Sequence, residues 1–564
     1  MNRESDKIIA AIKLLDLDTA ITWFLKDARD DFYPDVLGYR DYRAYLKDIK
    51  LKVKSIDSYE TYFDKVPKKG GMLRDAIWIH PELRIIYTAI LHYLLPKIDH
   101  KVPDQIYSYR RDSEDNDQYP FNNSIMRWKG FHNDAISACL DEKIESILVT
   151  DLTSYYDHIN VDNLISIIED ILGPSISKED RLILFLLKKL LLSWSTKGFG
   201  IPQNIDTSSF LGSIYLYHVD KSVLDNRFRY FRWVDDIKIC AQNERQAHRA
   251  LHHLQDTLLN NRLFISGAKT SIYNKSNAED WNDIVDVTDD KLISDFEIAI
   301  DEQDHAKIQY LMDDAKNLLE KHSAPGGNDK IFRAIANRLL DCCSMYSALT
   351  HAYNLNNKII EKVIDRIDTH PEKMNVWCDM LSCCDDKRII DKITYHLIKR
   401  PSLYNWHRYH TIRLLTSLPI KLSEEMQSTL WSSARGEISR HEAYISIICL
   451  GKHLDNNSRE KIFDVFFKSQ SSILIKRSVL ISIQELPHET RNKKYNEAIS
   501  INPQLKPLVD YLSSLEKPNY GIKTWTKKKV REHVYKKNYS RKGVGIVKGK
   551  TVSYSLSKSD FSYD

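Results

Sequence analysis

Five Asp-Asp pairs occur in this 564-residue chain, at 30–31, 235–236, 289–290, 313–314 and 385–386. Adjacent carboxylates repel each other, and a divalent cation relieves that repulsion where the fold offers nothing else. With five such pairs the doublet alone discriminates nothing, so the surroundings must. Asp235-Asp236 is preceded by Tyr230-Phe-Arg-Trp-Val234 and followed by Ile237-Lys-Ile-Cys-Ala241. Both flanks are rich in strand formers, which predicts the pair in the tight turn of a β-hairpin. A second apolar run, Ile144-Glu-Ser-Ile-Leu-Val-Thr150, also ends directly in an aspartate, Asp151. If the two strands are neighbours, Asp151 faces Asp235, and the three carboxylates can hold two Mg²⁺ ions about 3.5–4 Å apart. One ion would activate an attacking 3′-hydroxyl, and the other would neutralise a triphosphate and its leaving pyrophosphate. That is in-line phosphoryl transfer, governed by position and electrostatics. Alone, Asp151 reads equally as a helix N-cap, and an ordinary hairpin loop is the weaker alternative for the pair. The link between them points to chemistry.

The elements that must position these side chains fall into four stretches. Residues 1–50 read as helical, with Trp23, Phe24, Phe32, Tyr33, Tyr42 and Tyr45 set among charges. Residues 51–280 mix short β-rich runs with amphipathic helices, the pattern of an α+β or α/β domain. From 285 to 515 the apolar period becomes 3.6, as in Ile331 to Leu340, Ile359 to Ile367, Ile389 to Ile398 and Ile473 to Leu486. A helix break is expected at 322–329, His-Ser-Ala-Pro-Gly-Gly-Asn-Asp. The helix pairs suggest a HEAT-like α-solenoid, with an irregular bundle as the alternative. Residues 517–564 interleave Lys527-Lys-Lys529, Arg531, Lys536-Lys537, Arg541-Lys542, Lys548 and Lys550 with Tyr520, Trp525, Tyr535, Tyr539 and Tyr554. That mixture suits a polyanion with stackable bases better than a merely solvated tail.

Composition excludes other classes. The hydrophobic content of 42% and charged content of 28% describe a globular chain, and the net charge of +4 decides nothing. The N-terminus carries charges throughout and has no secretory h-region. The longest apolar run, Leu182 to Trp194, is broken by Lys188 and Lys189, so no membrane span is expected. Eight cysteines without a CxxC pair imply reduced thiols packed in helices and a cytosolic location. A metal site at Cys378, Cys383 and Cys384 is the weaker alternative.

At this point the chain resembles the reverse-transcriptase superfamily, with six fragments in the family's order over residues 60–275. Asp151-Leu-Thr-Ser-Tyr-Tyr-Asp-His-Ile159 resembles motif A, Gly200-Ile-Pro-Gln-Asn-Ile-Asp-Thr-Ser-Ser-Phe-Leu211 motif B, Arg232-Trp-Val-Asp-Asp236 motif C, and Leu263-Phe-Ile-Ser-Gly-Ala-Lys-Thr-Ser-Ile272 motif D. Pro67-Lys-Lys-Gly-Gly-Met-Leu-Arg74 and Ile106-Tyr-Ser-Tyr-Arg110 resemble fingers motifs. The resemblance implies a right-hand α+β polymerase, with fingers and palm, that adds dNTPs to a DNA product. It implies that Asp151, Asp235 and Asp236 bind Mg²⁺, for which Mn²⁺ can substitute. It implies that Tyr156 is the steric gate against a ribose 2′-hydroxyl, and that Gln203 touches the nucleotide sugar. Lys68, Arg74 and Arg110 would stand near the triphosphate, and Lys269 would protonate pyrophosphate. Asn204 replaces the glycine usual in motif B and Trp233 the usual Tyr or Phe of motif C. The first departure puts conventional templated copying in doubt.

The Thr-Ser-Tyr-Tyr stretch, the altered motif B and a helical region in place of a conventional thumb are similar to the bacterial abortive-infection and defence-associated reverse transcriptases. That branch implies anti-phage defence in the bacterial cytoplasm, DNA synthesis that can be protein-primed and untemplated, and homo-oligomers in some members. Candidate priming residues are Tyr535, Tyr539, Tyr554, Tyr563, Tyr33 and Tyr39. The alternatives are a retron-like or group II intron-like enzyme copying a dedicated non-coding RNA, and a nucleic-acid-binding scaffold on a relic polymerase fold.

Overall fold

The computed structural model describes residues 3–45, 53, 55–111, 119–122, 124–278, 281, 288–324, 326–345, 352–382, 387–436, 439–469, 472–521, 543–547 and 550–554. The chain divides into two compact units, Met1–Phe63 with Asp75–Asp286, and Asp64–Arg74 with Val287–Asp564.

The first unit is α+β. Helices α1 (Arg3–Lys13) and α2 (Leu17–Asp27) are followed by strands β1 (Thr61–Pro67) and β2 (Leu73–Ile79), α3 (Pro81–Ile98), α4 (Ser124–Cys139) and β3 (Ser146–Thr150). Then come α5 (Val161–Leu172), α6 (Lys178–Trp194), α7 (Asp206–Tyr215), α8 (Tyr217–Asp225), β4 (Arg229–Trp233), β5 (Asp236–Ala241), α9 (Glu244–Leu259) and β6 (Ser271–Asn274). Both aspartate-ending runs are strands, as their composition predicts. They join an antiparallel sheet of order β4-β5-β3-β6. β3 is paired on both sides, and Ile147 and Leu148 have no solvent exposure. A doubly flanked strand under helices needs a continuous apolar run, which Ile-Leu-Val supplies. Helix α4 packs on β4 and β5, and α9 on β3, β5 and β6.

The long helix α6 starts on a capping box. The Ser177 hydroxyl accepts from the Asp180 N–H at 3.0 Å, and the Asp180 carboxylate accepts from the Ser177 N–H at 3.0 Å. Asp180 also accepts from Lys97 at 2.6 Å and from the Tyr93 hydroxyl at 2.9 Å, which ties α6 to α3. Burial pushes the Asp180 carboxyl up, but the bonds from Lys97 and Ser177 outweigh it and hold the group at about 2. The folded value lies below the unfolded one. The stabilisation is therefore complete above the unfolded carboxylate range, about 4, and is lost as pH falls toward 2. Asp180→Ala is expected to cost about 1–2 kcal/mol at neutral pH. In denaturant melts this deficit should shrink between about pH 4 and pH 2, and a deficit independent of pH would contradict the assignment.

The second unit is helical between Thr288 and Ser513, and helices contact their near neighbours in sequence. Thr288–Asp301 packs on His305–Ser323, which packs on Asp329–Met345, and Arg440–His453 packs on Asn405–Ser417 and Ile473–Ser482. The runs Ile331 to Leu340 and Ile359 to Ile367 fall on α-helices, Ile389 to Ile398 passes from Lys387–Thr394 into the π-helical turn Tyr395–Lys399, and Ile473 to Leu486 outruns its helix, which ends at Ser482; Gly326 and Gly327 lie between His305–Ser323 and Asp329–Met345. The tip of the β1–β2 hairpin belongs to this unit. Asp64 accepts from Asn405 and Ser439, each at 3.1 Å, and His441 lies 3.7 Å from the same carboxylate. Cys342 and Cys378 are buried free thiols, whereas Cys383 and Cys384 lie outside the described residues. Among the described residues no helix is long and apolar enough to cross a membrane. Lys527 to Arg541, Tyr535, Tyr539 and Tyr563 also lie outside them.

Candidate active site

The sheet register brings the aspartates together. Thr150 pairs with Ile237 across β3 and β5, so Asp151, one residue beyond Thr150, adjoins Asp236, one residue before Ile237. The neighbour of Asp151 in the register is thus Asp236, where Asp235 was expected. The reason is connectivity: β3 pairs with the strand after the turn, β5, and not with β4. Trp233 pairs with Asp236, which leaves Val234 and Asp235 as a two-residue turn. Val234 has φ +49°, left-handed backbone that a β-branched residue rarely adopts. Such a residue costs of order 1–3 kcal/mol and persists only where its surroundings over-determine it.

Those surroundings are a buried polar network that the sequence did not reveal. The Val234 N–H donates to the Ser108 hydroxyl at 3.1 Å, and its carbonyl accepts from Arg232 at 2.7 Å. The Arg232 guanidinium, fully buried, also grips both Asp220 oxygens at 2.7 and 2.5 Å and the Ser213 carbonyl at 2.9 Å. The Tyr230 hydroxyl donates to Asp220 at 2.8 Å. A fork of fixed donors suits this task, because one side chain pins a turn, a helix end and a carboxylate together. The only hint in the sequence was a cation in the middle of the apolar run Tyr-Phe-Arg-Trp-Val.

Burial, followed by the charges of Asp236 and Asp151, pushes the Asp235 carboxyl up to about 7. The Lys269 ammonium donates to Asp151 at 2.9 Å. Burial pulls that ammonium down, but the Asp151 bond and the three carboxylate charges prevail and hold it above the ordinary lysine value. Lys269 is placed by the bond from the Ser266 N–H to the Asp151 carbonyl, 2.8 Å, and by the Thr150–Thr270 hydroxyl pair, 2.7 Å. Three crowded carboxylates are a hard-oxygen donor set that suits Mg²⁺. Among the described residues no group of three or more His, Cys, Asp or Glu side chains is placed to hold a metal ion, and the Lys269 ammonium occupies Asp151.

Beside the aspartates, Tyr156 lies over α7. A Cβ on Gly212 would meet its ring at 3.2 Å, so the ring sits close against the Gly212 backbone. The Tyr156 phenol is held well above its usual range by burial, then by Tyr109 and Asp235. Gln203 donates to Asp157 at 2.7 Å, which ties the Gly200–Ile205 loop before α7 to the turn that bears Tyr156. Asn204 has φ +61°, the left-handed region that glycine favours and asparagine tolerates better than most residues. Its side-chain amide donates to the Asp30 carbonyl. Asn204 thus takes the left-handed backbone that glycine favours and adds an anchor.

The basic candidates separate. Arg110 is committed to the protein, donating to Asp99 at 2.8 Å and to the Pro103, Ile106 and Asp99 carbonyls at 3.0, 3.2 and 3.1 Å. It fastens its own loop, in place of the triphosphate contact expected of it. Lys68 and Arg74 flank the hairpin tip and are grouped with the second unit. Of the priming candidates, Tyr33 and Tyr39 are buried, and the Tyr39 hydroxyl accepts from the Trp78 indole at 3.1 Å.

The model of the reverse transcriptase (RNA-dependent DNA polymerase) family matches residues 66–311. Among solved structures, the chain is similar to telomerase from Candida albicans in complex with a fragment of telomeric RNA, at 11% identity and a TM-score of 0.32, over 68% of this chain and 69% of that one. It is also similar to apo telomerase from Candida tropicalis, at 11% identity and a TM-score of 0.29, over 80% and 68%. No curated protein matches the chain. At TM-scores this low the family match decides alone, and it encloses the six motifs and the three aspartates. Residues 66–311 are a reverse transcriptase domain, and the enzyme this chain encodes is an RNA-directed DNA polymerase, a nucleotidyltransferase.

Proposed function

We propose that this polymerase adds deoxynucleotides by the two-metal route and serves a bacterial cytoplasmic anti-phage defence, with synthesis that can start on a protein hydroxyl and run without a template. The observation that carries the chemistry is the convergence of Asp151, Asp235 and Asp236 at the adjoining ends of the central strands β3 and β5, beside Lys269. Those three carboxylates would hold the divalent ions, which when bound supply Lewis-acid activation of the attacking and leaving oxygens. Lys269, once displaced from Asp151, is a charged donor next to where pyrophosphate charge develops. Tyr156, wedged on Gly212, excludes a 2′-hydroxyl. The defence branch is supported by the Thr153-Ser-Tyr-Tyr156 stretch and by the helical unit, which we read as a HEAT-like array that binds nucleic acid or builds an oligomer. A second reading, copying of a dedicated RNA, is favoured by the left-handed φ of Asn204, which preserves the motif B backbone.

The test is incubation of the full chain with Mg²⁺ and each dNTP or rNTP, with and without template, followed by electrophoresis before and after protease. DNA made without template, and released only by protease, is the expected result. Strict template dependence would favour the second reading, and no incorporation would sink both. Tyr156→Ala is expected to raise rNTP use relative to dNTP by about 10–100-fold, in line with the 1–3 kcal/mol of a steric contact. Unchanged sugar preference would remove Tyr156 from the gate.

A further inference from the structure

Beside the polymerase motifs the N-terminal segment carries a group of cations that the chemistry above leaves without a role. Arg29 lies in the 3₁₀ turn Ala28–Asp30 that ends α2, and Arg40 and Arg43 lie in the 3₁₀ helix Arg40–Tyr45. Three residues per turn place positions 40 and 43 on one face. All three arginines are exposed, and among the described residues none has an ion pair. The 3₁₀ helix packs on α2. The Tyr39 ring lies 5.3 Å from Phe24 and 6.0 Å from Tyr42, and the Asp35 carboxylate accepts from the Leu37 and Tyr39 N–H groups at 2.9 and 3.2 Å. This bend returns Arg40 and Arg43 toward Arg29. Partial burial and then those two positive charges hold the Arg29 guanidinium below the ordinary arginine value, with Asp30 opposing.

The cluster adjoins the nucleotide-adding site. Asp30, next to Arg29, accepts the Asn204 amide through its carbonyl, and Asp27 accepts the Asp206 N–H at 3.1 Å. Arg84 fastens this corner, 2.8 Å from Asp27 and 2.6 Å from Asp31. Three exposed guanidinium groups brought near one another repel each other, as the Arg40 and Arg43 charges acting on Arg29 show. Their planar forks match phosphate oxygens. In sequence the chain continues with Lys47, Lys50, Lys52 and Lys54 against a single Asp48.

We propose that Arg29, Arg40 and Arg43 form a phosphate-binding site for a nucleic-acid strand, which it guides past the Gly200–Ile205 loop. The role in guiding a strand rests on the polymerase reading; strand binding is measured without catalysis. The experiment is a salt titration of fluorescence anisotropy with labelled single-stranded DNA, on the full chain and on R29Q/R40Q/R43Q, without Mg²⁺ or dNTP. Removing three phosphate contacts should flatten the slope of log K against log salt by about 2 and weaken binding about tenfold or more at physiological salt. The variant should melt no lower than the parent, because the exchanged groups are exposed and mutually repelling.

The stretch after 517 also offers cations, so photo-cross-links from thiothymidine-substituted DNA, mapped by mass spectrometry, give the second readout. Adducts on the peptides bearing Arg29 to Arg43, lost in the variant, are expected. Adducts confined to other peptides, with slope and affinity unchanged, would overturn the proposal. So would a variant weakened toward free dNTP alone, since that would make the site a triphosphate site. Failure of the polymerase reading shows separately, as absent dNTP incorporation by the parent.

Discussion

Alanine at Asp235 or Asp236 is expected to lower nucleotide addition by at least about 10³-fold, about 4 kcal/mol of transition-state stabilisation. The metal-free protein should at the same time become slightly more stable, by about 0.5–2 kcal/mol. The two effects have one origin. Burial and the charges of Asp236 and Asp151 drive the Asp235 carboxyl up to about 7, so the folded state holds this carboxylate group at a cost. Removing one charge relieves the crowding but dismantles the donor set. Single-turnover incorporation in Mg²⁺, paired with melts in chelator, reads both. Retained incorporation would dismiss the aspartates as metal ligands. Lost incorporation with a large drop in stability would make their role structural. The same carboxylates argue against a relic polymerase fold, because a binding scaffold would gain by losing them.

Arg232→Met is expected to destabilise the protein by about 3–5 kcal/mol, the cost of leaving a buried partner charge unpaired. Arg232 has no exposed surface and Asp220 almost none, and the arginine also satisfies the Val234 and Ser213 carbonyls. A second substitution separates charge from geometry. In Arg232→Met/Asp220→Leu no charge remains buried, so much of the stability should return, since apolar replacements of buried pairs are often neutral. Activity should not return with it. Val234 would still lack its carbonyl partner, and its strained turn, which carries Asp235, would lose one of its two restraints. Denaturant melts and incorporation assays on both variants check this. A double variant that recovers activity along with stability would show that the network supports folding alone.

Much of the site was legible because its signals are local. Strand propensity on both sides of Asp235-Asp236 forecast the hairpin, and a strand ending at Asp151 forecast its companion, since β-branched and aromatic runs fit a pleated, half-buried surface wherever they occur. Helical periodicity after residue 285 was equally local. Arg110 shows where this reading stops. As residue type and motif position it suited a triphosphate, yet its guanidinium closes onto Asp99 and three carbonyls of its own loop. Residue type declares what a side chain can bond, and only the approach of other chain segments decides which bond it makes.

The sequence by itself determined which residues could do chemistry, the order of the motifs and the α+β-then-helical layout, because propensity and periodicity act over a few neighbouring positions. The tertiary structure decided the rest. Pairing of β3 with β5 made Asp236 the neighbour of Asp151, and a helix 12 residues upstream supplied the Asp220 that clamps Arg232 beneath the Val234–Asp235 turn. The N-terminal segment, 174 residues from Asn204, turned an apparent motif defect into an anchored left-handed corner. Each of these is a contact between segments distant in sequence, chosen by burial and by the need to satisfy buried polar groups, and such choices leave no periodic trace in the chain.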